Sequence, residues 1–191
     1  AKSPMRQLLI RIAEFYHRQA DKGEFDIRFG SSATVESIRS LAPDAVVVAT
    51  GSSQWRVDIS GGKEAWTVTD ALTRDLHSVQ KVLVVDFKGT TEALIVTDYL
   101  SDQGITVEFI TPDSRVAAAV EGMTREEMLN RLQDRGIRFN EEENIVHWDN
   151  QGGLVRHNRF VEERTVDDID AVVISAGATA SNGLALDLRG L

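Results

Sequence analysis

Cysteine is absent from this 191-residue chain. The absence excludes disulfide bonds, thiol catalysis, thiolate metal sites and iron–sulfur ligation by the chain itself. No apolar run reaches the roughly 18 residues that span a bilayer. The start at Ala1 lacks a signal peptide's apolar region. We therefore expect a soluble, cytoplasmic protein, and a first residue other than Met suggests a fragment or a processed chain.

Basic residues are fewer than acidic ones. Lys and Arg total 21 against 30 Asp and Glu, which gives a formal net charge of -9. Nucleic acids need a basic surface, so a nucleic-acid partner is not expected. The four histidines show no metal-ligand spacing, and no metal site is predicted. No Ser/His/Asp arrangement or spaced carboxylate pair is recognised, so no catalytic residue is predicted.

A repeated phrase is the chain's most informative feature. Residues 43–51 read PDAVVVATG and residues 170–177 read DAVVISAG. Each has an acid, an apolar run, and then small residues ending in glycine. An apolar run that does not alternate predicts a strand buried on both faces. A buried strand is therefore predicted at 43–50 and another at 171–175.

The remaining pattern alternates strands and helices. Helices are predicted at 4–20 (with Met5, Leu8, Leu9, Ile12, Phe15 and Tyr16 packed on one face), at 34–40, at 90–103 before Gly104, and from a capping box at Thr124–Glu127 to Gly136. Strands are predicted at 25–29, 82–86 and 106–111, and a hairpin at 145–157; residues 52–75 are predicted to be mostly irregular. The predicted fold class is α/β: a Rossmann-like three-layer fold with a mostly parallel sheet, an added β-meander and a partial second dinucleotide-binding domain.

The turn after the strand at 82–86 lies where a dinucleotide fingerprint should supply several glycines. It reads Asp86-Phe87-Lys88-Gly89, and only Gly89 suits a tight turn. Asp86 and Phe87 place a carboxylate and a ring where a pyrophosphate would approach, and Glu92 is predicted in the first helical turn. A phosphoacceptor receiver domain also begins this way, but Phe87 stands where its second acid is expected.

Together these segments resemble a known family. The order FDIRFG, LAPDAVVVATGS, KVLVVD, YLSDQGITVEFITP, DAVVISAG and NGLA is similar to the C-terminal region of flavoproteins related to old yellow enzyme. That group includes 2,4-dienoyl-CoA reductase, trimethylamine dehydrogenase and histamine dehydrogenase. The degenerate loop is nearest to the amine dehydrogenases, whose electrons leave to a protein acceptor.

The resemblance implies a domain organisation. Residues 1–77 and 177–191 correspond to a partial FAD- or ADP-binding-type domain whose glycine-rich loop lies upstream, and residues 78–176 to an NAD(P)-binding-type domain with a degenerate loop. The cofactor-binding residues carried over are Ala49, Thr50, Gly51, Gly89, Gly177 and Asn182. FAD or ADP is the implied ligand of the partial domain, NAD(P) binding is in doubt, and FMN and a 4Fe-4S cluster belong to an upstream barrel.

The main hypothesis is a C-terminal part of a multidomain flavin-dependent oxidoreductase that is inactive alone. Its expected partners are the upstream barrel domain, an electron-transfer protein and a second copy of the chain, with no membrane partner. Two alternatives stay open: a functional NAD(P)H-binding reductase module, and a structural or electron-acceptor docking domain that binds no nucleotide.

Overall fold

The computed structural model describes residues 2–23 and 25–189. It divides into two compact units. The first comprises the residues up to Leu8 together with Gln54–Gly177, and the second comprises Leu9–Ser53 and the residues from Ala178 onward. The assignment of the two predicted sequence regions to FAD- or ADP-binding and NAD(P)-binding domains stays a prediction.

A five-stranded parallel sheet forms the centre of the first unit, in the order β2-β9-β3-β4-β5. Its strands are β2 (Trp66–Thr67), β3 (Lys81–Asp86), β4 (Thr106–Ile110), β5 (Arg138–Asn140) and β9 (Ala171–Ser175). Three helices accompany it: α3 (Val68–Thr73), α4 (Thr91–Asp102) and α5 (Gly122–Asp134). The predicted strands at 82–86, 106–111 and 171–175 and the helix at 90–103 are confirmed, and Gly104 follows α4 with φ 78°.

The two faces of the sheet carry different layers. Val82 and Val84 point into a core that includes residues of α3, α4 and α5. Leu83 and Val85, on the opposite face, pack with Ile145 and other residues of the antiparallel strands. Those strands are β6 (Glu143–Asp149), β7 (Gly152–His157) and β8 (Glu163–Val166). The Rossmann-like three-layer fold with its added meander is thereby confirmed.

Asp170 shows why β9 begins where it does. Its carboxylate accepts hydrogen bonds from the amides of Gln80 at 2.7 Å and Lys81 at 3.0 Å. These bonds fix the start of β9 beside the start of β3 and hold the pKa of Asp170 below its ordinary value. Asp170 is thus a turn residue at the entry to β9.

The second unit contains α1 (Ile10–Asp21). A 3₁₀-helix, Pro4–Leu9, precedes it, and its residues up to Leu8 belong to the first unit. The second unit also holds α2 (Val35–Ser40) and α6 (Gly183–Arg189), while β1 (Ser52–Gln54) pairs with β10 (Ala178–Ala180). The helix predicted at 34–40 is confirmed, with Thr34 as its N-cap.

Three expectations for this region are wrong. The first helix does not pack along one face, because Leu8, Leu9, Ile12, Phe15 and Tyr16 are all exposed and only Met5 is partly buried. The strands predicted at 25–29 and 43–50 are irregular, and Val47 is 92% exposed. A strand needs hydrogen-bonded neighbours, and no described strand pairs with either segment.

Two smaller corrections concern residues 52–75 and the start of α5. The stretch 52–75 is more regular than predicted, since it contains β1, β2 and α3, and Thr67 and Asp70 cap α3 reciprocally. The capping box at Thr124 is wrong, because α5 begins earlier. There Glu121 accepts from the amides of Met123 and Thr124, each at 3.0 Å, and Thr124 lies inside the helix.

Candidate functional site

The loop between β3 and α4 lies where a nucleotide would bind in this fold. β3 has β4 on one side and β9 on the other, so the connections from the sheet diverge at its carboxyl end. In open α/β sheets the crevice at such a position receives the ligand. Residues 87–90 form the loop, and α4 starts at Thr91.

Asp86 dominates the chemistry of this loop. It ends β3 and is fully buried. Its Oδ1 atom accepts hydrogen bonds from the Lys88 and Gly89 amides, each at 3.0 Å. Its Oδ2 atom has no partner among the described residues. The amides that a glycine-rich loop would offer to a phosphate are therefore already bonded to a side chain.

The electrostatics of the loop are unfavourable for an anion. Burial raises the pKa of Asp86 to about 6, against the lowering effect of the Lys88 and Gly89 amides, and the Asp113 and Glu92 carboxylates raise it further. Glu92 lies in the first turn of α4, as predicted, and contacts the Ser175 hydroxyl at 3.5 Å. A bound pyrophosphate would add charge to a region that already holds three carboxyl groups.

Packing also closes the loop. Gly89 has φ 61°, and a Cβ there would lie 3.1 Å from the Ala118 nitrogen and 3.3 Å from Asp113 Oδ2. The Gly89 carbonyl accepts from the Ala119 amide at 2.8 Å. The chain's own segment 113–119 thus occupies the space beside Gly89. The residues present do not fit the pyrophosphate of NAD(P).

One expectation for this loop is wrong. Phe87 was expected to obstruct the phosphate with its ring, but the ring packs against the core on the meander face. Its amide donates to the Ser175 carbonyl at 2.9 Å, which continues the β3–β9 pairing by one residue. Asp86, rather than Phe87, therefore blocks the loop.

The Lys88 side chain reaches from this loop to Gly177. Its side chain extends over Gly177, where a Cβ would lie 3.3 Å from Lys88 Cδ and 3.5 Å from Nζ. Gly177 has φ 104° and accepts from the Trp55 amide at 2.9 Å. The backbone conformation favours glycine at 177, whereas the flexible end of the lysine side chain could move aside for a Cβ.

The other predicted binding residues lie together in the second unit. The Thr50 hydroxyl donates to the Ser181 carbonyl, and the Ser181 amide donates to the Gly51 carbonyl at 2.9 Å. The Asn182 carbonyl accepts from the Leu186 amide at 3.0 Å at the start of α6. Gly51 has φ 75° and no described atom within 4 Å of its Cβ position, and Ala49, Thr50 and Gly51 are exposed. Their assignment as cofactor contacts stays a prediction.

A hydrogen-bonded Ser–His–Asp row was missed in the sequence. Ser60 Oγ lies 2.8 Å from His147 Nδ1, and His147 Nε2 lies 3.2 Å from Asp149 Oδ2. Ser60 also lies 2.8 Å from the Val146 carbonyl, which competes for the single hydroxyl hydrogen. A parallel bridge joins Ser60 to His147. No sequence signal links residues so far apart, and here the row fastens residues near Ser60 to β6.

Within the described ranges, no group of three or more His, Cys, Asp and Glu side chains could hold a metal ion. Nor does any described helix have the length and apolar character needed to cross a membrane.

Comparisons with known proteins agree with this architecture. The profile of the pyridine nucleotide-disulphide oxidoreductase family matches residues 11–191. The chain is 26% identical over 200 residues to N,N-dimethylglycine/sarcosine dehydrogenase of Chromohalobacter salexigens, covering 99% of the chain and 29% of that protein. It is 28% identical to the probable N-methylproline demethylase of Rhizobium meliloti, covering 99% and 28%.

Solved structures share the fold. A 2-naphthoyl-CoA reductase complex superposes with a TM-score of 0.84 at 23% identity, covering 97% of the chain and 28% of that one. Histamine dehydrogenase from Rhizobium sp. 4-9 gives 0.73 at 19% identity, covering 92% and 29%. The resemblance predicted from the sequence is confirmed. The chain spans less than a third of the length of each of these proteins.

Proposed function

The chain belongs to the pyridine nucleotide-disulphide oxidoreductase family, and on this basis we propose that it is the dinucleotide-fold part of a larger flavin-dependent amine dehydrogenase. Two relatives that it matches over 99% of its length are named for N-methylated amines, dimethylglycine or sarcosine and N-methylproline. A secondary or tertiary amine is accordingly the proposed substrate class of the parent protein.

The observation that carries the proposal is the closed β3–α4 loop. A reductase needs a loop that admits the pyrophosphate of NAD(P)H. Here Asp86 occupies the Lys88 and Gly89 amides, and segment 113–119 lies against Gly89. This geometry favours a parent that passes electrons to a protein acceptor over one that receives hydride from a nicotinamide.

The proposed nucleotide contacts lie in the second unit. The exposed residues Ala49–Gly51 and the neighbouring Asn182 would hold part of FAD or ADP, supported by the Thr50–Ser181 hydrogen bond that fixes the turn. A flavin bound there, or FMN in the upstream barrel, would supply the electron-transfer chemistry. In this proposal the chain alone binds a nucleotide but oxidises no amine.

A structural or docking role is a second candidate, favoured by the exposed apolar side chains of the first helix. Ile12 and Phe15 are about half exposed, and Leu8 is 73% exposed. Patches of this kind commonly mark an interface. The upstream barrel domain of the parent is the partner that this reading requires.

Calorimetric titration of the 191-residue chain with FAD, ADP, NADH and NADPH separates these functions. We expect binding of FAD or ADP, and no NADH or NADPH binding tighter than about millimolar, which corresponds to about 4 kcal/mol. Binding of NADH in the micromolar range would support the reductase module instead. No binding of any nucleotide would favour the docking role. A parent reading frame without an upstream barrel and cysteine cluster would contradict the placement.

A further inference from the structure

We propose that Asp86 is the residue that determines the specificity of this domain against NAD(P)H, because its carboxylate takes the place of a phosphate on the Lys88 and Gly89 amides. This inference rests on the proposed function and explains at atomic level how the loop rejects a dinucleotide. It attributes the rejection of NAD(P)H to one side chain, whereas the sequence pattern points only to a shortage of glycines in the loop.

First, the amides that a phosphate would need are already hydrogen-bonded. An incoming phosphate would need the amides at 88 and 89, and both donate to Asp86 Oδ1 at 3.0 Å. The carboxylate is part of the fully buried end of β3. Displacing it would leave a second buried oxygen without a partner beside Oδ2, which already has none.

The second step is charge. Glu92 and Asp113 approach the same loop from α4 and from the segment after β4, and both disfavour the ionised form of Asp86. The cation in the loop is Lys88, whose side chain lies along Gly177. One lysine beside three carboxyl groups does not create the positive potential that a pyrophosphate requires.

The third step concerns what glycine at this position would change. Asp86 lies in a regular strand and is not among the residues with positive φ. The backbone at residue 86 therefore has an ordinary strand conformation that does not require glycine. Replacing the Asp86 side chain should leave the conformation of β3 unchanged. The effect of the residue is its side chain, which a substitution can test.

The test compares Asp86→Gly with Asp86→Asn, using inorganic pyrophosphate and NADH as probes and the amide resonances of Lys88 and Gly89 as the readout. Asparagine keeps an oxygen that accepts from both amides but removes the charge. Glycine removes both the accepting oxygen and the charge. Asp113→Asn is the matched control, because it removes a neighbouring charge without freeing either amide.

We expect pyrophosphate to bind Asp86→Gly at least about tenfold more tightly than the wild-type chain, since two amides become available to a charged ligand. The Lys88 and Gly89 resonances should shift on binding. Asp86→Asn and Asp113→Asn should gain less than about threefold. Equal gains in Asp86→Asn and Asp86→Gly would overturn the occupancy argument, because charge alone would then explain the rejection.

A measurement on the wild-type chain keeps the inference testable if Asp86→Gly does not fold. Hydrogen exchange at the Lys88 and Gly89 amides should be slow, and it should stay slow in Asp86→Asn. Fast exchange of both wild-type amides overturns this inference and leaves the proposed function standing. Wild-type NADH binding that shifts the same two resonances overturns the proposed function as well.

Discussion

The buried Asp86 carboxyl predicts a dependence of stability on pH. Its folded pKa is raised to about 6 from an ordinary 3.8. The folded state therefore binds a proton more tightly than the unfolded chain, and stability from this group falls as pH rises through about 6. Fully developed, this difference is about 3 kcal/mol, since one pKa unit corresponds to about 1.4 kcal/mol.

The measurable part of this change lies above the sequence pI near 4.9. Between pH 7.5 and 5.0 the titration of Asp86 alone should increase the free energy of unfolding by about 1 kcal/mol. Other groups titrate in the same window, so the wild-type value has to be compared with that of Asp86→Asn, which cannot ionise at this position. If the asparagine amide carries a cost that does not depend on pH, this cost shifts the difference in unfolding free energy between the two proteins by the same amount at every pH. The pH dependence of that difference is then unchanged.

The assay is urea unfolding of both proteins at several pH values across this range. The stability of the wild-type chain relative to Asp86→Asn should rise by about 1 kcal/mol on acidification. A difference that stays flat, or that falls as the pH is lowered, would refute the reasoning. Such a result would mean that Asp86 is solvated or is better compensated by the Lys88 and Gly89 amides than the geometry indicates.

Two further pairs of substitutions, each with its own control, test the packing at Gly61 and the ion pairs of Asp98. Gly61→Ala should lower the free energy of unfolding by about 3 kcal/mol in urea unfolding, whereas its neighbour Gly62→Ala should cost about 1 kcal/mol. Both glycines have positive φ, but only a Cβ at 61 would lie 2.1 Å from the Trp148 carbonyl oxygen, so equal costs would contradict the clash. Asp98→Asn should cost about 2 kcal/mol at pH 7, against less than about 0.5 kcal/mol for the more exposed Asp102→Asn control. Burial opposes the charge of Asp98, but hydrogen bonds from the Arg131 guanidinium, the Ser3 hydroxyl and the Met5 amide hold its pKa below the ordinary 3.8. This cost should therefore be fully present above pH 3.8 and shrink only as the pH falls below that value, through the lowered pKa of the folded state.

The sequence predicted three of the five strands of the central sheet, β3, β4 and β9, because its information there is local, whereas β2 and β5 were not predicted. The apolar runs ending at Val85 and Ile174 are too continuous for a one-sided strand, and both strands are buried on both faces. The meander was predicted from the Asp149–Gly153 turn between two apolar segments. Helix starts were less predictable, since Glu121 and Thr124 both precede an apolar stretch and either could cap it.

The binding loop could be predicted only in part. The shortage of glycines at 86–89 indicated that a dinucleotide would fit poorly. The reason, a carboxylate bonded to the Lys88 and Gly89 amides, depends on a side-chain rotamer and on burial that no spacing encodes. The direction of Phe87 was wrong for the same reason, because a ring after a strand can turn toward either face.

The repeated phrase at 43–51 and 170–177 shows the limit of local pattern most clearly. Both copies predict a buried strand, yet only the second forms one. β9 lies between β2 and β3, which satisfy its backbone groups on both sides, and Asp170 ties its start to Gln80 and Lys81. The first copy has no described strand paired with it. An apolar run therefore shows only that a segment could form a buried strand. Whether it does so depends on neighbouring strands that pair with its backbone. If the proposed parent protein supplies strands that pair with residues 43–50, these residues should be protected from amide exchange in that longer protein and unprotected in the 191-residue chain. Equal protection in both proteins would contradict this argument.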